Sequence, residues 1–195
     1  MTSEVSTENN PPTEAEFGFW LYLMSDAILF GLIFATYVVM VSNTAGGPSG
    51  GDLFSLKNLT IQTGLLLTST LTIALGHQAA VGKSVGSAIF WIGVTCIFGA
   101  GFLAFELREL GGMIAMDAGP GRSGFLTAFF TLVGTHGLHV TAGLLWALTM
   151  IAQLAIKGPT AQVASRLLRL TLFWHFLDIV WIGVFSVIYL PGLIG

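Results

Sequence analysis

Five long stretches with little or no charge constrain this chain more than any other feature of its sequence. A run of about 20 apolar residues is long enough to cross a bilayer as a helix. Only 9% of the 195 residues are charged, against roughly 25% in an average soluble domain. We therefore predict an all-α, polytopic membrane protein. Its spans are predicted near residues 17–41, 59–81, 85–107, 124–156 and 167–190.

The segments between these spans are short, and several are rich in glycine and proline. Short links make sequential helices neighbours in space, so we predict one bundle of five transmembrane helices over residues 17–195. Residues 1–16 contain four glutamates and two prolines but no lysine or arginine. This composition predicts a disordered acidic N-terminal tail.

The charged residues between the spans bear on partners and orientation. The net charge of -3 leaves no basic surface, and we therefore predict no nucleic-acid partner. Loop lysines and arginines are more frequent on the cytoplasmic side of membrane proteins. The side with the N-terminus carries four of them: Lys83, Lys157, Arg166 and Arg169. The opposite side carries three: Lys57, Arg108 and Arg122. This difference favours a cytoplasmic N-terminus and an external C-terminus.

Ionisable residues inside the predicted spans are costly and therefore informative. Asp26, His136, His139, His175 and Asp178 lie at similar depths of the first, fourth and fifth spans. The two pairs separated by three residues lie on nearly the same face of their helices. We predict that all five form one intramembrane cluster of carboxylates and imidazoles. Glu106, with Arg108 and Glu109, is predicted to form a solvated helix end.

The pattern leaves three functional interpretations open. The polar groups could be structural hydrogen bonds between helices of a cofactor-free subunit. His136 or His139 could clamp a haem together with His175, as in membrane cytochromes. Asp26, the histidines and Asp178 could instead form a proton path. A hydrolytic zinc site is not predicted, because that motif needs histidines four residues apart with a glutamate between them.

Several segments, taken together and in order, resemble subunit III of the haem-copper oxidases. Within that family they are most similar to the five-helix subunit III of bacterial cytochrome o (bo-type) ubiquinol oxidases. The resemblance extends from Phe17 to about Gly192. The segments are Phe17-Gly-Phe-Trp-Leu-Tyr-Leu-Met-Ser-Asp-Ala-Ile-Leu-Phe30, Gly99-Ala-Gly-Phe102 with Glu106, Gly119-Pro-Gly-Arg-Ser-Gly-Phe125, Gly134-Thr-His-Gly-Leu-His-Val140 and Trp174-His-Phe-Leu-Asp-Ile-Val-Trp181.

The resemblance implies a non-catalytic subunit in the bacterial inner membrane, with its N-terminus in the cytoplasm and its C-terminus in the periplasm. It implies subunits I, II and IV of the oxidase as partners, with the haems and copper held by subunit I and none in this chain. It also implies roles in assembly, stability and phospholipid binding. Asp26 resembles the position of an intramembrane glutamate in cytochrome c oxidases. The resemblance implies structural or lipid-related roles for His136, His139, His175 and Asp178.

Overall fold

The computed structural model describes residues 14–48 and 55–191 of the chain. It consists of five long helices: α1 (Glu14–Met40), α2 (Leu56–Val81), α3 (Val85–Ala115), α4 (Gly124–Lys157) and α5 (Ala161–Val184). All five are long and apolar enough to cross a membrane. The predicted all-α, five-span architecture is therefore confirmed. Residues 1–13 of the predicted tail and residues 192–195 lie outside the described residues, and α1 already begins at Glu14.

Two helix boundaries differ clearly from the prediction. Helix α3 continues eight residues beyond Leu107, and α5 begins six residues before Leu167. In both places the sequence contains charged residues, which were interpreted as the edge of the membrane. A helix can continue through such residues when its charges lie on different faces. Arg108 is exposed while Glu106 is buried.

The last turns of the fifth span depart from α-helical geometry. Phe185–Tyr189 forms a π-helical turn that follows α5 directly, and the backbone N–H of Leu190 donates to the carbonyl of Phe185, five residues earlier. A π turn accommodates one residue more than an α turn. The helix therefore continues past this point with its faces rotated.

Helix α4 lies at the centre of the bundle. It packs against α3, α5 and α1, while α2 packs mainly against α3 and α5. Helix α1 packs chiefly against α4 and touches α5 less extensively. Most of the surface of α1 is therefore left uncovered by the rest of this chain, as its exposed side chains show.

The buried side chains form two cores at different depths. The first, called here the aliphatic core, lies where α2 and α4 end, and it contains Ile73, Ala80, Ala88, Ile92, Ala147, Met150, Leu154, Val163, Leu167, Leu170 and Trp174. The second, called the aromatic core, includes α1. Its rings are Phe30, Tyr37, Phe102, Phe125, Phe129, Phe173, Trp181 and Tyr189.

Candidate functional site at the centre of α4

The central segment of α4, Gly134–Gly143, contacts three neighbouring helices through different residues. His139 faces α1, Gly137 faces α3, and His136 and Gly143 face α5. Residues three apart on a helix are separated by about 60° around its axis. His136 and His139 can therefore contact different neighbours although they belong to one face.

Asp26 and His139 form the contact between α1 and α4 that involves ionisable groups. Oδ2 of Asp26 lies 3.5 Å from Nε2 of His139, and Nδ1 of His139 lies 2.8 Å from the Thr135 carbonyl oxygen. Because a carbonyl only accepts, Nδ1 carries a hydrogen and donates it. Attraction between Nε2 and the carboxyl group then requires one further proton between them. With that proton the pair is neutral overall, which lowers the cost of placing it inside a membrane.

Glu106 occupies a buried position between α3 and α4. Its residue is 2% exposed, and a Cβ added to Gly137 would lie 2.7 Å from its Oε1. The absence of a side chain at Gly137 therefore makes room for the carboxyl group. Among the described residues, Oε2 has no hydrogen-bond partner. The prediction of a solvated helix end is wrong for Glu106, because α3 continues past it and turns this face toward α4.

Glu109, one turn further along α3, also faces inward in part. Its Oε2 accepts a hydrogen bond of 2.8 Å from Nε2 of Gln62 on α2, and Tyr189 interacts with the same carboxyl group. Arg108 alone fits the predicted solvated end, since its side chain is exposed. The spacing of the two glutamates, three residues apart, was the signal for a shared inward face.

His136 is completely buried among aromatic rings. It stacks on Trp181 with ring centroids 5.4 Å apart and meets Phe102 edge to face at 5.7 Å. Neither ring nitrogen has a hydrogen-bond partner within the part of the chain that the structure describes. His136 therefore contributes to the aromatic core mainly by packing its ring against the rings of Trp181 and Phe102.

Two tryptophans of α5 connect it to α2 through hydrogen bonds. The indole N–H of Trp174 donates to Oγ of Ser69 at 2.9 Å, and that of Trp181 donates to Oγ1 of Thr63 at 3.1 Å. Sequence reasoning missed both bonds. The available signal was the spacing, because tryptophans seven residues apart can meet hydroxyls six residues apart on a neighbouring antiparallel helix.

Trp174 also fits between two glycines on other helices. A Cβ added to Gly143 of α4 would lie 2.9 Å from the indole ring, and a Cβ added to Gly99 of α3 would lie 3.0 Å from it. Both distances are too short for a comfortable contact. One side chain of α5 thus joins α2, α3 and α4, and glycine is required at the two positions that flank its ring.

His175 and Asp178 are not joined to the other ionisable groups. His175 is exposed on the outside of α5, and its Nδ1 donates to the Thr171 carbonyl at 2.7 Å. Asp178 is buried, and neither of its oxygens has a hydrogen-bond partner among the described residues. Of the five residues predicted to form one cluster, the structure brings together Asp26 and His139. The prediction failed because a shared depth does not imply a shared direction.

This arrangement suits helix association better than cofactor ligation or proton transfer. The three imidazoles of His136, His139 and His175 point toward an aromatic cluster, a carboxyl group and the outer surface respectively. Two histidines that clamp one haem must face a common space. A proton path needs a continuous series of polar contacts. Here the Asp26–His139 contact does not continue to His136 or Asp178.

Comparison with known proteins identifies close relatives over nearly the whole chain. The family model for cytochrome c oxidase subunit III matches residues 12–193. Cytochrome bo(3) ubiquinol oxidase subunit 3 of Pseudomonas aeruginosa is 54% identical over 90% of this chain and 84% of its own length. The subunit of the same name from Buchnera aphidicola (Baizongia pistaciae) is 41% identical over the full length of both chains. Cytochrome c oxidase subunit 3 of Bacillus sp. PS3 is 38% identical over 100% of this chain and 95% of its own.

Proposed function

This chain belongs to the cytochrome c oxidase subunit III family, and we propose that it is subunit III of a terminal ubiquinol oxidase. It is an accessory subunit of an oxidoreductase complex, as its relatives are. The observation that carries the choice of ubiquinol is the higher identity to the Pseudomonas ubiquinol oxidase subunit than to the Bacillus cytochrome c oxidase subunit.

In this proposal the chain contributes structure, and redox chemistry takes place in its partners. Subunit I holds the haems and copper, and subunits II and IV complete the complex. The proposed role of this chain is to support assembly and stability of the complex. Support comes from the contacts of its central polar residues, because Asp26, His139 and Glu106 all lie at contacts between helices of the bundle.

The proposed location is the bacterial inner membrane, with the N-terminus in the cytoplasm and the C-terminus in the periplasm. The chain is a multi-pass membrane protein, as its five spans and its relatives indicate. The excess of loop lysines and arginines on the N-terminal side supports the orientation. An odd number of spans then puts the C-terminus on the opposite side.

Phospholipid binding is the third part of the proposal. A groove of about 250 Å³ between α1 and α4 is almost entirely apolar, and it is lined by Ile33, Thr36, Met40, Gly124, Thr127, Ala128 and Thr131. The hydroxyls of Thr36, Thr127 and Thr131 bond to carbonyls of the preceding turn of their own helices. Their outer surfaces are therefore methyl groups, which suit an acyl chain.

The test is to purify the complex from its native membrane through an affinity tag on this chain. Oxygen consumption is then measured with a short-chain ubiquinol and with reduced cytochrome c as alternative donors. We expect co-purification with haem- and copper-containing subunits and oxidation of ubiquinol. Oxidation of cytochrome c without ubiquinol, or a complex without haem, would contradict the proposal. Mass spectrometry of the intact complex identifies the subunits and any retained phospholipid.

A further inference from the structure

His175 places a polar atom on the outside of the bundle, within the fifth candidate membrane span. It lies eight residues after Leu167, where the predicted fifth span begins, or about 12 Å along the helix. Its Nδ1 donates to the Thr171 carbonyl, so in the neutral ring Nε2 has a lone pair that can only accept. Within residues 14–48 and 55–191, no donor lies at hydrogen-bonding distance from Nε2.

The surface around His175 is a groove between α1 and α5. Its volume is about 290 Å³, and apart from the imidazole its lining is almost wholly apolar: Trp20, Leu23, Met24 and Ala27 from α1, and Leu172, Phe176 and Ile179 from α5. Trp20, Met24 and Ile179 are strongly exposed. Ala27 has the smallest side chain among these lining residues.

We propose that this groove receives a transmembrane helix of another oxidase subunit, which donates a hydrogen bond to Nε2 of His175. The inference rests on the proposed function, because it takes the partner from the same complex. It specifies which face of the chain is the interface and what the partner must present there. The partner residue is an N–H or O–H donor at the same depth as His175.

A helix explains the groove better than an acyl chain does. Lipid tails are as apolar as the groove lining, but they have no donor, and a polar atom facing hydrocarbon without a partner is costly. Lipid headgroups carry donors, but these lie at the membrane surface, whereas His175 lies about 12 Å along the helix from the start of the predicted span. Helices in membranes associate through close packing and hydrogen bonds between side chains. The imidazole and the open face of α1 offer both.

Site-specific photo-crosslinking in the intact complex tests the interface. A benzophenone amino acid replaces Ile179, which is 68% exposed in the groove, or as a matched control Ile97, which is 71% exposed on α3. We expect position 179 to crosslink to another oxidase subunit and position 97 to crosslink mainly to lipid. Crosslinks to lipid alone from position 179, or partner crosslinks from position 97 alone, would overturn the inference. In both cases the proposed function would stand, because the complex is verified before irradiation.

Substitution of His175 tests the hydrogen bond separately. His175→Leu keeps an apolar side chain of similar bulk but has no acceptor, whereas His175→Gln keeps an acceptor at a similar reach. We expect the dissociation constant of this chain from the complex in detergent to rise about threefold for His175→Leu. For His175→Gln it should return close to the value of the unsubstituted chain. Equal behaviour of both variants and the original chain would contradict the bond. Loss of the chain from an oxidase in every preparation, including the unsubstituted one, would contradict the proposed function itself.

Discussion

The aliphatic and aromatic cores of this bundle are stabilised in different ways. The aliphatic core contains residues of α2, α3, α4 and α5, and neutral hydrogen bonds accompany it, such as the 2.8 Å contact between the hydroxyls of Thr72 on α2 and Thr95 on α3. The aromatic core adds α1 and has buried ionisable residues beside it, including Asp26, Glu106 and His136. We infer that the first core depends on shape and the second on polar contacts. Three substitutions test this difference.

The largest effect is expected in the aliphatic core, from Trp174→Ala. The indole is fully buried, and its removal leaves a cavity between α2, α3 and α4 together with the loss of the bond to Ser69. Such truncations typically lower the free energy of unfolding by about 3–5 kcal/mol. The control is Phe90→Ala on α3. Because the ring of Phe90 is exposed, its removal should lower the free energy of unfolding only slightly. Unfolding in mixed detergent micelles measures the free energy of unfolding of both variants. Equal losses would contradict a central role of Trp174 in the stability of the bundle.

An intermediate effect is expected from adding one methyl group to α4. Gly143→Ala forces a Cβ against the rings of Trp174 and Phe173, and overpacking of this kind costs about 1–3 kcal/mol. Gly134→Ala is the matched control, because a Cβ there has no neighbour within 4 Å among the described residues. Alanine is also the better helix former, so this control should be neutral or slightly stabilising. A similar loss for both variants would show that the close fit around Trp174 does not account for the cost at Gly143.

The smallest effect is expected in the aromatic core, from the pair that joins α1 to α4. Asp26→Leu leaves Nε2 of His139 without its partner and should lower stability by about 1 kcal/mol. Asp26→Asn should retain most of the contact, because its amide N–H can donate to the lone pair of Nε2. Thermal unfolding of the purified complex, with turnover per haem measured in parallel, separates stability from activity. Equal destabilisation by the two variants would indicate that the contact requires the carboxyl group itself.

Most of the fold could be predicted from the sequence, because the length of an apolar run directly reflects membrane thickness. The errors occurred where charge was taken as a sign of water. Glu106 and Glu109 were assigned to a solvated end, but α3 continues to Ala115 and turns these carboxyl groups toward α4 and α2. A charged side chain is unfavourable in lipid, but its presence in the sequence does not indicate whether water or another helix will surround it.

The site was predictable only in part. The depth of Asp26 and His139 follows from residue counting, and the structure brings these two together. The directions of His136, His175 and Asp178 depend on where neighbouring helices lie, and that information is absent from a single helix. The tryptophan bonds of α5 were missed for a related reason, since they depend on how α2, which carries Ser69 and Thr63, packs beside α5.

The π turn at Phe185–Tyr189 determines which side of the fifth span its last tyrosine occupies. In an uninterrupted α-helix, Tyr189 would follow Ile182 by seven residues and lie within about 20° of it around the axis. Ile182 is 49% exposed, whereas Tyr189 is 2% exposed and lies 6.2 Å from the ring of Trp181. The extra residue rotates the residues that follow it about the helix axis. It moves a phenol that would otherwise face lipid into the interior, where it reaches Glu109.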